Sequence, residues 1–498
     1  MKYISTRDNY KKVSASEAIR LGMVPEGGLF VPEEIPKLSL AEINDFSNKS
    51  YQEIAKEILE LFLTDYTKEE IETAVNAAYN QENFSEPDIA PIKKLNEEEY
   101  ILELWQGPTA AFKDMALQIM PHLLSQAIDK VELEEDVVIL VATSGDTGKA
   151  ALEGFKDVAG IEIIVFYPEA GVSEIQKRQM ITTSGDNTHV VAVEGNFDDC
   201  QNSVKDIFGD KEFKAEVKNS GYLFSSANSI NWGRLLPQII YYFAAYANLV
   251  RDGEIEAGAE INISVPTGNF GNIFAAYYAY RMGLPVDKFV CASNENNVLS
   301  DFLTTGIYDI NRDFKKTVSP SMDILISSNL ERFLFEITGH DGEQIKKWYR
   351  DLQEKDYFEI DTQNKTTIDE IFVGEYATEE ETLATIKEVY KDYDYLIDTH
   401  TAVGVKAYRK FVGDEGNEKE TIIDSTANPY KFADAVLEAV DGEVKTEDEF
   451  EILKLLKEKT GVEIHRAVNG LDEIEPRHDR ACNTEEIRTE VKDILEVE

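Results

Sequence analysis

Over residues 1–95 apolar positions recur at intervals of three and four, the period of an amphipathic helix, between punctuating Ser, Thr, Gly and Pro. Ser14 and Glu17 have capping-box spacing, and the helix they open runs through Ala18, Ile19 and Leu21. A Gly/Pro-punctuated turn follows over 25–32. Two amphipathic helices are predicted over 51–63 and 67–78, the second capped by Thr67 and Glu70. Residues 84–91, with Pro87 and Pro91, read as a linker. The pattern predicts a small, mainly helical N-terminal domain over 1–95.

Beyond residue 96 the period changes. Continuous apolar, β-branched runs over 100–105, 137–141, 161–166, 189–193, 261–265, 288–293 and 421–425 alternate with helical stretches, among them one from Gly148 and one over 273–282. The run at 421–425 is expected to be the last strand. Strands without polar alternation are buried on both faces, which predicts an α/β fold with parallel sheet covered by helices. Residues 295–395 are rich in charge and turns and read as an insertion, with helices over 329–338 and 342–353. Residues 443–498 alternate Glu and Lys with apolar positions and read as a peripheral tail of the 96–498 catalytic region.

Charge narrows the partners. The chain has 498 residues, 43% hydrophobic and 10% aromatic, and carries a formal charge of −45. So acidic a surface repels nucleic acid and anionic membranes, and an anionic substrate needs local basic groups. Cys200, Cys291 and Cys482 are odd in number and far apart, so no disulfide framework or zinc spacing appears, and the six histidines form no metal-ligand pair. The first residues lack a signal peptide's apolar region, and no stretch approaches the ~20 apolar residues of a membrane span. The expectation is a reduced, soluble, cytoplasmic protein, a monomer or small homo-oligomer, with no metal.

Five loops carry the candidate chemistry, four of them at the end of a predicted strand. The first is Gly107-Pro108-Thr109-Ala110-Ala111-Phe112-Lys113-Asp114. Lys113 stands at the mouth of an apolar helix between Phe112 and Met115, where desolvation disfavours the ammonium and leaves an amine able to attack an aldehyde. Thr143, Ser144, Gly145, Asp146, Thr147 and Gly148 follow a buried strand and open a helix, a combination of hydroxyls and amides suited to a carboxylate. Gly268, Asn269, Phe270, Gly271 and Asn272 again lie between strand and helix; successive amides there suit a phosphate monoester, and GxGxxG order is missing. Thr426 and Asp424 at the end of 421–425 are both candidates to face a ring nitrogen, a hydroxyl for a neutral ring and a carboxylate for a pyridinium. Asn228, Ser229, Asn231 and Arg234 offer a second anion site before a further helix. A lone lysine, a phosphate cradle, a carboxylate loop and a sheet-end hydroxyl together suggest pyridoxal 5'-phosphate.

With Glu26-Gly27-Gly28-Leu29-Phe30-Val31-Pro32, these motifs stand in the order found in threonine synthases, and the chain resembles the longer bacterial and fungal type within the fold-type-II pyridoxal-phosphate family. The resemblance covers nearly the whole chain. It implies a tryptophan synthase β-like fold, with two parallel-sheet α/β subdomains plus the small helical N-terminal domain. It implies conversion of O-phospho-L-homoserine and water to L-threonine and phosphate. Lys113 would be the Schiff-base lysine, residues 268–272 the cofactor-phosphate loop, and Thr426 the partner of the pyridine nitrogen. Residues 144–147 would face the substrate carboxylate or the cofactor hydroxyl. Two positions depart from related enzymes: Asp146 stands where fold-type-II members usually carry Asn, and Glu174 where the family often has Pro. They leave the roles of Asp146, Gln176 and Lys177 open. The rival readings are a threonine or serine dehydratase, which needs no second phosphate site, and a non-catalytic paralogue, against which the intact Lys113 argues.

Overall fold

A computed structural model describes residues 1–131, 135–143 and 145–497. Fifteen strands are defined there: β1 Tyr3–Ser5, β2 Phe30–Pro32, β3 Ile92–Lys94, β4 Glu99–Glu103, β5 Asp136–Ala142, β6 Ile161–Pro168, β7 Thr188–Glu194, β8 Tyr222–Ser225, β9 Ile261–Pro266, β10 Val286–Ser293, β11 Ile307–Asp309, β12 Tyr357–Glu359, β13 Phe372–Tyr376, β14 Thr421–Ser425 and β15 Arg480–Asn483. Two sheets organise the chain. One has the order β13-β10-β9-β14-β4-β3, parallel except for the antiparallel edge pair β3–β4. The other, β15-β7-β6-β5-β8, is parallel throughout. The pairs β1–β2 and β11–β12 form two small antiparallel sheets.

The apolar runs become strands because both faces are covered. Every residue of β4, β9 and β14 is buried. Removing one such Val or Ile side chain from water is worth roughly 1.5–3 kcal/mol, so a solvated face is not an option for them. The N-terminal helices Tyr51–Phe62 and Lys68–Ala78 turn Ile54, Ile58, Leu59, Ile71 and Val75 into the core that also holds Trp232 and Ile263. The Thr67–Glu70 capping box is complete. At Ser14 only half of the expected box forms: Ser14 accepts the Glu17 N–H, and the Glu17 carboxylate pairs with Lys11 instead.

Three expectations are corrected. Thr421–Ser425 is not the last strand, because β15 adds to the edge of the second sheet along β7. The stretch 295–395 contributes β13, which lies parallel to β10 with Phe289 opposite Phe372. Both are edge strands, and an edge tolerates polar residues that a continuous apolar search passes over. The apolar helix after Lys113 is two helices, Asp114–Leu117 and Met120–Lys130, the second with Pro121 in its first turn. Among the described residues no helix is long and apolar enough to cross a membrane.

Register places the loops. In the first sheet β4, β14 and β9 are neighbours, so the loops after Glu103, Ser425 and Pro266 leave one edge side by side. In the second sheet β5 and β8 are neighbours, and the loops after Ala142 and Ser225 leave together. Ligands of such sheets collect outside the carboxyl ends of the strands.

Candidate active site

The lysine loop is held in shape by its own carboxylate. Asp114 accepts the Thr109 N–H at 2.8 Å and the Thr109 hydroxyl at 2.7 Å. Burial raises its carboxyl to about 6, against the lowering effect of those two bonds. Backbone bonds then join this loop to the one after β14: the Phe112 N–H donates to the Thr426 carbonyl at 2.8 Å and the Asn428 N–H to that of Ala110 at 3.0 Å. Ala111 and Ala427 form an isolated bridge between them. Lys113 precedes the helix Asp114–Leu117, and its side chain is only 13% exposed. Its Nζ lies 5.1 Å from the centre of the Phe112 ring. Burial lowers the pKa of this amine, with Asp146 acting in the opposite sense and Lys431 and Arg234 adding to the lowering.

Across from the lysine, Thr143 caps the next loop, its hydroxyl accepting the N–H groups of Gly145 at 3.0 Å and Gly148 at 2.9 Å. Ser144, the first of the expected carboxylate-loop residues, lies outside the described residues. Thr147 is half-buried in the first turn of the helix Asp146–Phe155. Asp146 is buried, and its two oxygens divide their work. Oδ1 accepts from Lys431 Nζ at 2.8 Å and from Gln176 Nε2 at 2.9 Å, while Oδ2 faces Lys113 Nζ at 3.6 Å. Burial opposes ionisation of Asp146, but Lys431 and then Lys113 outweigh it and hold the carboxyl well below the usual range. Sequence reasoning missed Lys431. The available signal was a lysine just past the sheet-end hydroxyls, in a motif that already supplies Thr426.

The glycine loop after β9 has the features of an anion cradle. Gly268, Asn269, Phe270 and Gly271 donate their N–H groups to no acceptor among the described residues, and Gly271 begins the helix Gly271–Met282. Phe270 holds a left-handed φ of 59°. A Cβ on Gly268 would stand 2.9 Å from the Ser321 carbonyl, so the approach of the 319–329 segment requires glycine there. That segment fixes the loop from outside: Ser327 donates to the Gly268 carbonyl at 2.9 Å, and Asn329 donates to that of Asn269 through both its backbone and side chain. The Asn272 side chain faces inward, accepting from Tyr241 and Tyr242 and donating to Asp424 at 3.0 Å. Asn272 thus offers an anion only its backbone.

The choice between Asp424 and Thr426 is informed by what each already does. Asp424 Oδ2 lies 2.6 Å from the Tyr242 hydroxyl, sharing that single proton with Asn272 Oδ1, and accepts from the Asn272 amide behind the glycine loop; burial raises its carboxyl to about 7 against those bonds. Thr426 is buried beside the lysine loop, with its carbonyl taken by Phe112.

The last loop divides its candidates. Asn231 is not free to hold an anion, because its amide donates to the carbonyls of Ile19 and Ser226 and its oxygen caps the Gly233 N–H. Asn228 is exposed, and Ser229 donates to its side-chain oxygen at 3.2 Å. Arg234 is buried, donates through Nη1 to the Ala227 carbonyl at 2.6 Å, and pairs with no carboxylate among the described residues. Burial lowers its pKa to about 10, which leaves it cationic at neutral pH. Sequence reasoning missed Arg332, a buried guanidinium that donates to the carbonyls of Phe30 and Ile230 and to Asn329 Oδ1, tying this loop to the cradle's support.

Known proteins resemble this chain along nearly its whole length. A family model described as pyridoxal-phosphate dependent enzyme matches residues 87–426, flanked by models for the threonine synthase N terminus over 2–79 and the threonine synthase C-terminal region over 401–473. The chain is 43% identical over 458 residues to threonine synthase-like 1 of Homo sapiens, covering 88% of this chain and 60% of that protein; it therefore spans less than two thirds of that relative. It is 38% identical over 447 residues to threonine synthase of Pseudomonas aeruginosa, covering 89% of this chain and 91% of that one. Among solved structures, yeast threonine synthase superposes with a TM-score of 0.89 at 33% identity. Pyridoxal-phosphate-bound threonine synthase from Brucella melitensis does so with 0.87 at 34%, and each match covers 99% of both chains.

Proposed function

This chain belongs to the threonine synthase family of pyridoxal-phosphate dependent enzymes, and from that membership we propose that it converts O-phospho-L-homoserine and water to L-threonine and phosphate, a carbon–oxygen lyase acting on a phosphate ester. The observation that carries the reading is Arg234, a buried guanidinium without a carboxylate partner among the described residues, close enough to Lys113 to influence its charge. It lies on a different loop from the cradle at 268–271. Besides a carboxylate site, an enzyme handling the phosphates of cofactor and substrate needs two phosphate sites, whereas a threonine or serine dehydratase needs one.

The family's cofactor fits the residues present. The free amides of 268–271 suit its phosphate, Lys113 is the buried amine for its aldehyde, and Thr426 offers the ring nitrogen a hydroxyl. When bound, the cofactor draws electrons from the substrate's Cα. The protein moves the protons: Lys113, its ammonium disfavoured by burial, accepts the Cα proton and stands to return it. The amide and hydroxyl of Thr147 suit the substrate carboxylate, and Ser144 belongs to the same proposed set, whereas the Gly145 N–H is already given to the Thr143 hydroxyl. Arg234, with Asn228 and Ser229, takes the phosphate that leaves from Cγ once a Cβ proton has been removed; Cγ then gains a proton to become the methyl group, and water adds its hydroxyl at Cβ. Purified protein supplied with O-phospho-L-homoserine should release phosphate and threonine in equal amounts, and Lys113→Ala should lose turnover by several orders of magnitude while melting as a folded protein. Production of 2-oxobutanoate from threonine, with the phosphate ester left intact, would replace this reading with the dehydratase one.

A further inference from the structure

Two ammonium groups, Lys113 and Lys431, face one buried carboxylate, Asp146, and the single charge of that carboxylate can neutralise only one of them. Distance decides which. Asp146 Oδ1 is spent on Lys431 at 2.8 Å and on Gln176, and its other oxygen stands back from Lys113 at 3.6 Å. Lys431 has no exposed side-chain surface, and further acceptors seat it: the Thr109 carbonyl at 3.0 Å and Gln179 Oε1 at 3.4 Å. Thr109 belongs to the lysine loop itself. Lys431 therefore fixes the Asp146 carboxylate and the loop bearing Lys113 at once. We infer that Lys431 is a positioning residue for Lys113: by holding Asp146 it keeps that carboxylate from closing on the Lys113 ammonium, so that the amine stays available for chemistry.

The electrostatics around both amines agree with the geometry. The charged groups facing Lys113 are Asp146 from the helix Asp146–Phe155, Lys431 from the turn Pro429–Phe432 and Arg234 from the helix Trp232–Leu235. Those facing Lys431 are Asp146, Asp114 and, from the C-terminal region, His465. His465 is lowered to about 4, by burial first and then by Arg466 and Lys431, so it is neutral at working pH and does not compete for Asp146. If Lys431 loses its charge, Asp146 has Lys113 as its remaining strong partner, and closure of that pair favours the protonated, unreactive lysine.

The test rests on Lys113 being the cofactor lysine, and its readout is separate from turnover. Cofactor-free full-length protein is mixed with pyridoxal phosphate across a pH series, the bond to Lys113 is trapped with borohydride, and the modified peptide is quantified by mass spectrometry. Lys431→Met should raise the pH midpoint of capture by about 1 unit or more, the size of a lost neighbouring charge, and Lys431→Arg should keep the parent midpoint. The double variant Lys431→Met/Asp146→Asn should return toward it. An unmoved midpoint in a folded Lys431→Met, or an equal shift in Lys431→Arg, overturns the inference. If Lys431→Met fails to fold, Asp146→Asn alone decides: it leaves Lys431 uncompensated and lowers the midpoint, and no change overturns the inference. Absence of any capture at Lys113 in the parent protein would instead remove the proposed function.

Discussion

At the scale of single residues, burial sets what each ionisable group does. Asp424 is pushed to about 7 while its unfolded value lies near the usual ~4, so the folded protein binds the proton more tightly. The stabilisation this supplies is complete below about pH 4 and is lost as pH rises through about 7, up to about 4 kcal/mol in all. Asp424→Asn removes that dependence, so the difference in thermal midpoint between parent and variant should change steadily between pH 4 and 7 in favour of the variant. A constant difference over that range would mean that Asp424 is ionised throughout. Lys113 was legible in the sequence because Phe112, Met115 and the downstream loops surround it with matching chemistry. Lys431 was not, since its role exists only through Asp146, a residue on the other sheet's loop.

At the scale of elements, backbone contact holds the site where side chains do not. Gly154, in the helix Asp146–Phe155, lies against the helix that follows Lys113: a Cβ there would come within 2.0 Å of the Leu117 carbonyl. Gly154→Ala should push the two helices apart, costing roughly 1–3 kcal/mol of stability as overpacking does, and should lower the affinity for pyridoxal phosphate in an absorbance titration. Unchanged affinity with reduced stability would place the displacement away from Lys113. The strand–loop–helix pattern of these regions was visible because β5 is apolar from Val137 to Val141, and β9 and β14 carry Ile261, Ile263 and Val265, and Ile422 and Ile423, directly before loop residues. β15 escaped because only Cys482 of its four residues is buried, and β13 because Gly374 and Glu375 interrupt its apolar run. The expected role of Asn231 failed for a related reason. An asparagine that caps a helix and one that binds an anion read alike in sequence, and hydrogen-bond partners alone separate them.

At the scale of the molecule, a charge of −45 presses outward on the fold. Added salt shortens the range of that repulsion, from a Debye length of about 30 Å at 0.01 M to about 8 Å at 0.15 M. The thermal midpoint should therefore rise over this range of sodium chloride, and a flat response would mean that paired surface charges already cancel the repulsion locally. The arrangement of the two sheets has a mechanical side as well. The loops of Lys113 and Thr426 are stitched to each other by the Phe112 and Asn428 amides, so amine and hydroxyl travel as one body. Asp146 belongs to the other sheet. Any breathing of one sheet against the other must draw Asp146 away from Lys431, and parting a buried carboxylate from its ammonium costs several kcal/mol. The ion pair beside Lys113 thereby also ties together the loops of the two sheets.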